Sequence, residues 1–483
     1  MEKDSFHFGC MMLFLTIVAS HSLASTRPRC HEDERSALLE FKATIFTRGS
    51  PCFYADPDKP PKIESWNATT GETQSDCCSW AGVECDKVSG HVIGLDLSCG
   101  RLSGEIDSNT SIFRLHRLRS LNLASNDFDY QIPSAIGNLG SLRDLNLSSF
   151  GLMGHIPNSF SNLTQLVHLD LSTLGLTGTT APLENLTLLT HLDLRGLDQF
   201  GGEIPSSFGR LAQLEHLNLA INSLTGEVPS FLGNLVHLKY LSPAGNMLTG
   251  RIPPSLGNLV QLTSLDLSLN QLTGRIPPSL GNLVQLTSLD LSSNQLTAEI
   301  PSSIGNLAQL TYLDLGYNQL VGDISLSSQN LMELGFLTLR SNQLSGEIPS
   351  LLGRLTQLIS VDLSYNRFHG TIPSTIFQLR NLLTLYLNSN NLSGTRKLDT
   401  ISEAENLREL ALSSNKLSLI VETNITHRFS GLGLGSCNLN GFPEFLKGQD
   451  GLSELDLSYN NISGQVPEWF MKVSTGNLRH LNL

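Results

Sequence analysis

Residues 262–277 read LTSLDLSLNQLTGRIP, and this stretch decides the fold. The leucines of Leu265-Asp266-Leu267 alternate with polar neighbours on both sides. Because this alternation has a period of two, it predicts a short strand with one buried and one solvated face. The Gly274 and Pro277 that follow predict an extended crossing that leaves the strand pairing.

The same leucine spacing recurs along the chain at intervals of 22–26 residues. The first apolar residue of each Leu-x-Leu unit is Leu95, Leu121, Leu145, Leu169, Leu192, Leu217, Leu241, Leu265, Leu289, Leu313, Leu337, Val361, Leu385, Leu410, Leu432, Leu455 and Leu481. This period indicates a leucine-rich-repeat solenoid, in which each coil buries its leucines against the next. We therefore predict an α/β fold, a right-handed horseshoe with a parallel concave sheet and short 3-10 or helical convex turns.

An asparagine follows the strand in most coils, where its amide can bond the carbonyls of the tight bend. These residues are Asn126, Asn222, Asn246, Asn270, Asn294, Asn318, Asn342, Asn366, Asn390 and Asn415. Phe150, Leu174 and Leu197 interrupt the series in three successive coils, so we expect an irregular curvature there. Cys437 takes the same position later and is predicted to be a buried thiol. Pro243 replaces a strand leucine, which should weaken that strand on one side.

The two ends predict the domain organisation. Met11 to Ser20 is an apolar run too short to span a bilayer, and small residues precede a cleavage point after Ala24. We assign residues 1–24 to a signal peptide, 25–91 to an N-terminal cap and 92–483 to about 16 complete repeats. Because Leu483 falls inside the strand of a new coil, we expect a missing C-terminal cap and a truncated or fragmentary sequence.

Six of the eight cysteines cluster before or at the first coil, as in a disulfide-stapled cap of a secreted protein. They are Cys30, Cys52, Cys77, Cys78, Cys85 and Cys99. Six cysteines allow fifteen pairings. We favour Cys30–Cys77 and Cys78–Cys85, with Cys52–Cys99 as the third pair. A zinc site is disfavoured because no Cys-x2-Cys pair is present.

Eight Asn-x-Ser/Thr sequons are candidate glycosylation sites in a secreted chain. They are Asn67, Asn109, Asn146, Asn162, Asn185, Asn391, Asn424 and Asn461. Asn146 lies within a Leu-Asn-Leu strand, so a glycan there would cover the concave face near the first coils. Ligand contact would then shift toward later coils.

The formal net charge is −13 and no basic run is present, which disfavours nucleic acid and anionic membrane surfaces as partners. After the leader, no stretch of 18 apolar residues occurs, so the sequence predicts no membrane span. We also predict no cofactor and no resident metal ion.

Three motifs resemble one plant family. The cap sequence ALLEFK at 37–42, with Trp66-Asn67 and DCCSWAGVECD at 76–86, looks like the N-terminal cap of plant leucine-rich-repeat receptors. The L-x-G-x-I-P flank is similar to the plant repeat subtype, which implies a second sheet beside the concave one. LGLGSCNLNGFP at 432–443 resembles disease-resistance receptor-like proteins of the tomato Cf type.

The resemblance implies an extracellular receptor that senses a pathogen-derived molecule or peptide and signals through partner receptor kinases in defence. It places the protein in the secretory pathway, on the outer side of the plasma membrane if an anchor exists and otherwise in the cell wall space. Two alternatives remain open: a secreted inhibitor of cell-wall-degrading enzymes, similar to polygalacturonase inhibitors, and the ectodomain of a receptor kinase.

Candidate ligand-binding residues lie beside the concave leucines. His168, His191 and His216 fall in successive coils and could form a metal or pH-responsive patch. Solvated imidazoles are the simpler interpretation, because the sequence shows no carboxylate that converges on them. An aromatic and arginine group is the preferred contact region, since such side chains are common binding anchors. It comprises Tyr240, Tyr312, Tyr317, Phe336, Arg340 and Tyr365.

Two patterns that resemble catalytic motifs are better explained by the scaffold. Aspartate recurs beside the strand leucines at Asp266, Asp290, Asp314 and Asp362, where the repeat itself places it. The run Gly431 to Gly435 resembles a phosphate loop, but it falls on a strand and opens no helix. Because no nucleophile, zinc-protease or nucleotide motif is present, we predict that the protein is not an enzyme.

Overall fold

The computed structural model describes residues 28–483 except 49–59, 68–75, 130, 150, 152, 178–179, 198–199, 325–329, 399–400, 402–403, 422–426 and 471–476. The signal peptide predicted at 1–24 and the residues Cys52, Phe150 and Asn424 lie outside this description.

Within the described ranges, the concave face is a sheet of 18 strands. They are Val83–Cys85, Val92–Asp96, Ser120–Asn122, Asp144–Asn146, His168–Asp170, His191–Asp193, His216–Asn218, Tyr240–Ser242, Ser264–Asp266, Ser288–Asp290, Tyr312–Asp314, Phe336–Thr338, Ser360–Asp362, Thr384–Tyr386, Glu409–Ala411, Gly431–Gly433, Glu454–Asp456 and His480–Asn482. The first two pair antiparallel, and the others pair parallel, each with its neighbour in the chain. These pairings follow one line from Val83–Cys85 to His480–Asn482, so the described sheet is open, as a horseshoe requires.

The strand leucines are in register from coil to coil, and this places the core. Leu265 pairs with Leu289, and Leu289 with Leu313. All three side chains are fully buried. Burial of one leucine stabilises the fold by about 1.5–3 kcal/mol, and because a coil cannot bury its leucines alone, stability is shared between neighbours. The predicted leucine-rich-repeat solenoid is confirmed.

The asparagine series forms a hydrogen-bonded ladder. Asn294 Nδ2 donates to the carbonyls of Leu267, Leu291 and Ser292 at 2.9–3.2 Å. Its Oδ1 accepts the backbone N–H of Leu272 in the preceding coil at 3.0 Å. The amide therefore satisfies buried backbone groups of two coils at once, as the sequence predicted.

A second set of short strands runs beside the concave sheet, as the plant-type flank implies. These strands are Phe46–Thr47, Leu102–Glu105, Asp127–Asp129, Met153–His155, Gly175–Thr177, Gly201–Glu203, Ser223–Thr225, Thr273–Gly274, Gln295–Leu296, Val321–Gly322, Gln343–Leu344, His369–Gly370, Asn391–Lys397 and Lys416–Ile420. They pair in groups of two or three, and isolated bridges such as Arg251–Thr273 and Glu299–Val321 extend some groups by one residue pair.

The convex side carries 3-10 turns, most of them following the proline of the flank. They are Lys62–Ser65, Cys77–Ser79, Ser111–Arg114, Ser134–Asn138, Asn158–Asn162, Ala181–Leu183, Ser206–Arg210, Ser230–Asn234, Pro254–Asn258, Pro278–Asn282, Ser302–Asn306, Ser350–Arg354, Ser374–Gln378 and Glu444–Gly448. Because the preceding proline fixes its own φ and cannot donate, it ends the extended flank where each turn begins.

Pro243 weakens one strand as predicted. Tyr240–Ser242 and Ser264–Asp266 share two residue pairs, whereas the next strand pair along the sheet shares three. The asparagine gap at Leu174 and Leu197 does not interrupt the concave sheet, which stays in register from Asp144–Asn146 to His216–Asn218. The irregular curvature expected in these coils stays a prediction.

The N-terminal cap closes the first coil with one helix and disulfides. Helix α1 (Glu32–Thr44) buries Ala37, Leu38 and Phe41 against the repeats. Glu34 fastens this helix to the first parallel strand, because its carboxylate accepts the N–H of Val92 at 2.9 Å. The strand Val83–Cys85 of the cap extends the concave sheet.

The disulfides Cys30–Cys77 and Cys78–Cys85 are present, with Cα–Cα distances of 5.5 and 5.4 Å. Both pairings are confirmed. Cys99 is also disulfide-bonded, while its predicted partner Cys52 lies outside the described residues.

Candidate functional site

The concave face presents the residues that flank the first buried leucine of each strand. Because parallel strands lie about 4.8 Å apart, side chains at the same position in successive coils form columns across the sheet. The candidate residues of the sequence analysis fall in such columns, and the structure separates them into two groups.

The first group is a histidine stack formed by His168, His191, His216 and Tyr240. The ring centroids of His168 and His191 are 4.6 Å apart, and those of His191 and His216 are 5.7 Å apart. His216 then stacks on Tyr240 at 4.3 Å with an interplanar angle of 7°. Tyr240 therefore lies with the histidines, while the rest of the predicted aromatic group lies further along the sheet.

A carboxylate converges on this stack, contrary to the sequence analysis. Asp144 accepts a hydrogen bond from His168 Nδ1, because the strand Asp144–Asn146 pairs with His168–Asp170 in register. The stack borders a cavity of about 310 Å³ that Asp170 and Asp193 also line. When the coils are aligned, Asp144 occupies the same strand position as His168, one coil earlier.

Burial disfavours protonation of His191 and His216. Burial lowers the pKa of His191, and the charges of His168 and His216 lower it further. Burial also lowers the pKa of His216, against the opposing effect of Asp193.

In the described part of the chain, the group of potential metal ligands whose donor atoms converge is Cys30, Cys77, Cys78 and Cys85. All four are in disulfides, so they offer no thiolates to a metal ion. Among the described residues, the histidine stack does not form a convergent group of metal ligands.

The second group is a tyrosine–arginine clamp formed by Tyr317, Arg340 and Tyr365. The guanidinium carbon of Arg340 is 5.7 Å from the centroid of Tyr317 and 4.7 Å from that of Tyr365. Asp362 Oδ2 accepts from Arg340 at 3.5 Å. Both tyrosines are about half exposed, at 52% and 48%. The clamp thus holds a planar cation between two open rings before any ligand binds.

Tyr312 and Phe336 lie beside the clamp, with ring centroids 6.2 Å apart. Phe336 is 43% exposed. Burial raises the pKa of Tyr312, and the nearby carboxylates of Asp314 and Asp290 raise it further. This phenol therefore stays protonated and remains a hydrogen-bond donor at physiological pH.

The aspartate column is part of the scaffold. Asp266 Oδ1 accepts the backbone N–H and the hydroxyl of Ser268 at 3.0 and 2.7 Å, and Asp314 accepts the N–H of Gly316 at 2.8 Å. These bonds fix the bend after each strand. Burial raises the pKa of Asp314 to about 6, and Asp290 adds to this effect.

Seven of the eight sequons fall in the described part of the chain. Asn67, Asn109, Asn162, Asn185, Asn391 and Asn461 are exposed, and Asn146 is partly buried. Asn146 Oδ1 accepts the N–H of Ser148 at 2.9 Å, and the residue lines the cavity beside the histidine stack. A glycan on Asn146 would therefore cover that cavity, and its occupancy stays a prediction.

A larger cavity, of about 620 Å³, lies further along the concave face and was not predicted from the sequence. Its lining includes Tyr386, Glu409, Glu454, Asp456, Arg479 and His480. The two glycines of the strand Gly431–Gly433 form its floor. The Gly-x-Gly pattern is the sequence signal of this cavity, because missing side chains on a concave strand leave open space.

Comparison with known proteins identifies the repeat family over most of the chain. Residues 31–86 match the leucine-rich-repeat N-terminal domain, and 92–229 match a leucine-rich repeat region. Residues 284–328 match paired leucine-rich repeats, and single repeats match at 261–283, 333–355, 357–379 and 451–473.

Similar sequences are plant receptor-like proteins. Receptor-like protein 43 of Arabidopsis thaliana is 45% identical over 127 residues, which is 26% of this chain and 17% of that protein. Receptor-like protein 9DC1 of Solanum pimpinellifolium is 39% identical over 132 residues, covering 25% of this chain and 15% of that protein. The match thus spans about one sixth of these relatives' length.

Two solved plant ectodomains share the fold across nearly the whole chain. That of the Arabidopsis thaliana receptor kinase GASSHO1/SCHENGEN3 has a TM-score of 0.74 and 32% identity, covering 93% of this chain and 55% of that one. That of the Arabidopsis receptor kinase HAESA has a TM-score of 0.65 and 29% identity, covering 94% and 86%.

None of the helices in the described ranges has the length and apolar character that crossing a membrane requires. The capped, plant-type repeat array and its similarity to these sequences show that the chain belongs to the plant leucine-rich-repeat receptor-like proteins.

Proposed function

We propose that this chain is the extracellular ligand-recognition module of a receptor-like protein, and that it binds a protein or peptide on its concave face. The tyrosine–arginine clamp is the observation that carries this proposal. Two half-exposed rings hold Arg340 in place, so a ligand would gain aromatic and cationic contacts with little further loss of side-chain entropy.

The solved relatives support a peptide as the ligand. The GASSHO1/SCHENGEN3 ectodomain was crystallised with CASPARIAN STRIP INTEGRITY FACTOR 2, and that of HAESA with the peptide hormone IDA and the co-receptor SERK1. By analogy, we propose that this chain signals through co-receptor kinases at the plasma membrane, or acts in the cell wall space if no anchor is present. A pathogen-derived ligand and a role in defence rest on the resemblance of residues 432–443.

A binding role without catalysis is consistent with the aspartate column. Asp266 and Asp314 are engaged in the bends that follow their strands. Since these bonds recur with the repeat, the column is explained without acid–base chemistry. We therefore propose that the module is not an enzyme.

The experiment is a peptide selection on the purified full chain, with a randomised phage-displayed library as the probe. Peptides enriched on the wild type are then measured on Arg340→Ala and Tyr365→Ala. The matched control is Arg354→Ala, because Arg354 is exposed on a convex turn.

We expect affinity to fall by about tenfold or more for each clamp variant, in the range of binding hot spots, and to be unchanged for the control. Failure to enrich any peptide, or equal binding to all four proteins, would overturn the proposal. The defence role is tested separately, by measuring the oxidative burst of leaf tissue expressing the chain after exposure to pathogen extracts.

A second candidate function is the ectodomain of a receptor kinase. The similarity to the GASSHO1/SCHENGEN3 and HAESA ectodomains favours it. Sequencing the transcript beyond Leu483 separates the two: a membrane span with a short tail supports the receptor-like protein, and a kinase domain supports the alternative.

A further inference from the structure

The concave face is hollow along the strand Gly431–Gly433. Gly431 lies between its sheet partners Glu409 and Glu454, and Gly433 lies between Ala411 and Asp456. These two positions carry side chains in most other strands. Both glycines line a cavity of about 620 Å³ that reaches from Arg340 to Asn482.

The backbone does not require glycine at Gly431. This residue is not among those with positive φ, so any residue could adopt its conformation. A Cβ added there would meet Glu409 Cγ at 3.4 Å, which is an ordinary contact. Because an L-residue would fit, the glycine is best explained by the space that it leaves.

The walls of this hollow are predominantly acidic. Glu409, Glu454 and Asp456 line it, together with the basic residues Arg479 and His480. Arg340 also borders the cavity, but its charge is paired with Asp362. The three carboxylates therefore outnumber the cationic charge that remains available to a ligand.

The local hydrogen bonds leave this negative charge in place. Tyr386 donates its hydroxyl to Glu409, and Ser413 donates to Asp456 at 2.7 Å. Burial raises the pKa of Tyr386, with Glu409 and Glu454 adding to it. The carboxylates of Glu409 and Asp456 are thus held by neutral donors, which orient them without cancelling their charge.

A metal ion is a poor fit. Glu409 and Glu454 stand on opposite sides of Gly431, two strand spacings apart, about 9.6 Å between backbones. Among the described residues, the carboxylates of this hollow are not part of any convergent set of metal ligands. An elongated organic cation could instead lie along the glycine floor and reach the carboxylates on both sides.

We propose that the hollow over Gly431 and Gly433 binds an arginine or lysine side chain of the ligand. This deepens the proposed function and rests on it, since it assigns a second subsite to the same concave face. The cavity extends from the glycine strand back to Arg340 of the tyrosine–arginine clamp, so one extended ligand could occupy both.

The test measures binding of acetylated, amidated hexapeptides in which alanine alternates with arginine, lysine or glutamate. Isothermal titration at low and high salt is performed with the full chain. We expect the arginine and lysine peptides to bind, more weakly at high salt, and the glutamate peptide not to bind.

Gly431→Val should place an apolar side chain in the hollow between Glu409 and Glu454 and reduce affinity for the basic peptides by about tenfold or more. Glu454→Gln should also reduce the affinity for the basic peptides. Valine favours strands, so the thermal midpoint of Gly431→Val should be maintained or raised, which separates lost binding from misfolding. Gly448→Ala is the matched control, because Gly448 is exposed with open space around it.

The proposal would be overturned if the basic peptides bound wild type and Gly431→Val with equal affinity. It would also be overturned if the glutamate peptide bound wild type as tightly as the basic peptides do. Failure of the proposed function has a different result. Phage-selected peptides that need Arg340 but not Gly431 would refute the hollow alone, whereas selected peptides indifferent to Arg340 would refute the clamp.

Discussion

Arg340 and Tyr365 belong to neighbouring coils, and the guanidinium carbon of one lies 4.7 Å from the ring centroid of the other. Asp362 holds the same guanidinium from a third side at 3.5 Å. The repeat creates this arrangement. Arg340 follows the strand Phe336–Thr338, and Tyr365 follows the next strand, Ser360–Asp362, so the two side chains meet across neighbouring coils.

The clamp should contribute to stability as well as to binding. A cation–π contact at a partly exposed site is worth about 0.5–1 kcal/mol. In a double-mutant cycle of Arg340→Ala and Tyr365→Ala, urea unfolding should therefore reveal a coupling free energy of this size. Strictly additive effects would show that the two side chains do not interact in solution.

The asparagine ladder predicts a large loss for Asn294→Ala. Asn294 is 8% exposed and its removal leaves the N–H of Leu272 without its partner. An orphaned buried polar group costs about 1–3 kcal/mol, so the free energy of unfolding should fall by at least that amount. Asn306→Ala on the convex turn of a nearby coil is the exposed control, with an expected change within about 0.5 kcal/mol. Similar losses in both variants would count against the ladder.

The histidine stack predicts a dependence on pH. Because the pKa of His191 is lowered on folding, the unfolded chain binds its proton more readily, and stability should fall as pH drops below about 6.5. His191→Gln should flatten the dependence of the thermal midpoint between pH 7 and pH 5. His369→Gln, on the second sheet, serves as control; an identical slope in wild type and His191→Gln would refute the effect.

Asp314 predicts a pH effect of the opposite sign. Its pKa is raised from 3.8 to about 6 in the fold, so its contribution to stability is present below the unfolded value and is lost as pH rises through about 6. Asp314→Asn retains an oxygen that can accept the N–H of Gly316. We expect this variant to melt higher than wild type at pH 7.5 and equally at pH 4. Asp362→Asn should instead melt lower at pH 7.5, because it removes the partner of Arg340.

Cys437 should resist alkylation until the repeats open. It is fully buried, and burial raises its pKa to about 12, so little reactive thiolate forms. Iodoacetamide at pH 8 should label this residue only when urea unfolds the chain, as mass spectrometry of its peptide would show. Rapid labelling of the native protein would contradict the burial.

The fold was predictable because each coil repeats one local rule. The leucine period placed the strands, and the asparagine ladder and Pro243 followed from single side chains. The contact groups were harder to predict, because they depend on which positions meet across coils. Asp144 reaches His168 and Tyr240 joins the histidines only through strand register. The hollow at Gly431 could not be predicted, because glycine has no side chain and the sequence does not show which neighbouring side chains surround the space that it leaves.

The coils 252–275 and 276–299 differ at three positions only, and their strands Ser264–Asp266 and Ser288–Asp290 separate Tyr240 from Tyr312. Because neighbouring coils present the same interface to each other, loss or gain of one such unit in the gene would leave the packing intact. It would move the histidine stack relative to the clamp by one strand spacing, about 4.8 Å. The number of such units therefore sets the distance between the two groups without changing any residue of either group.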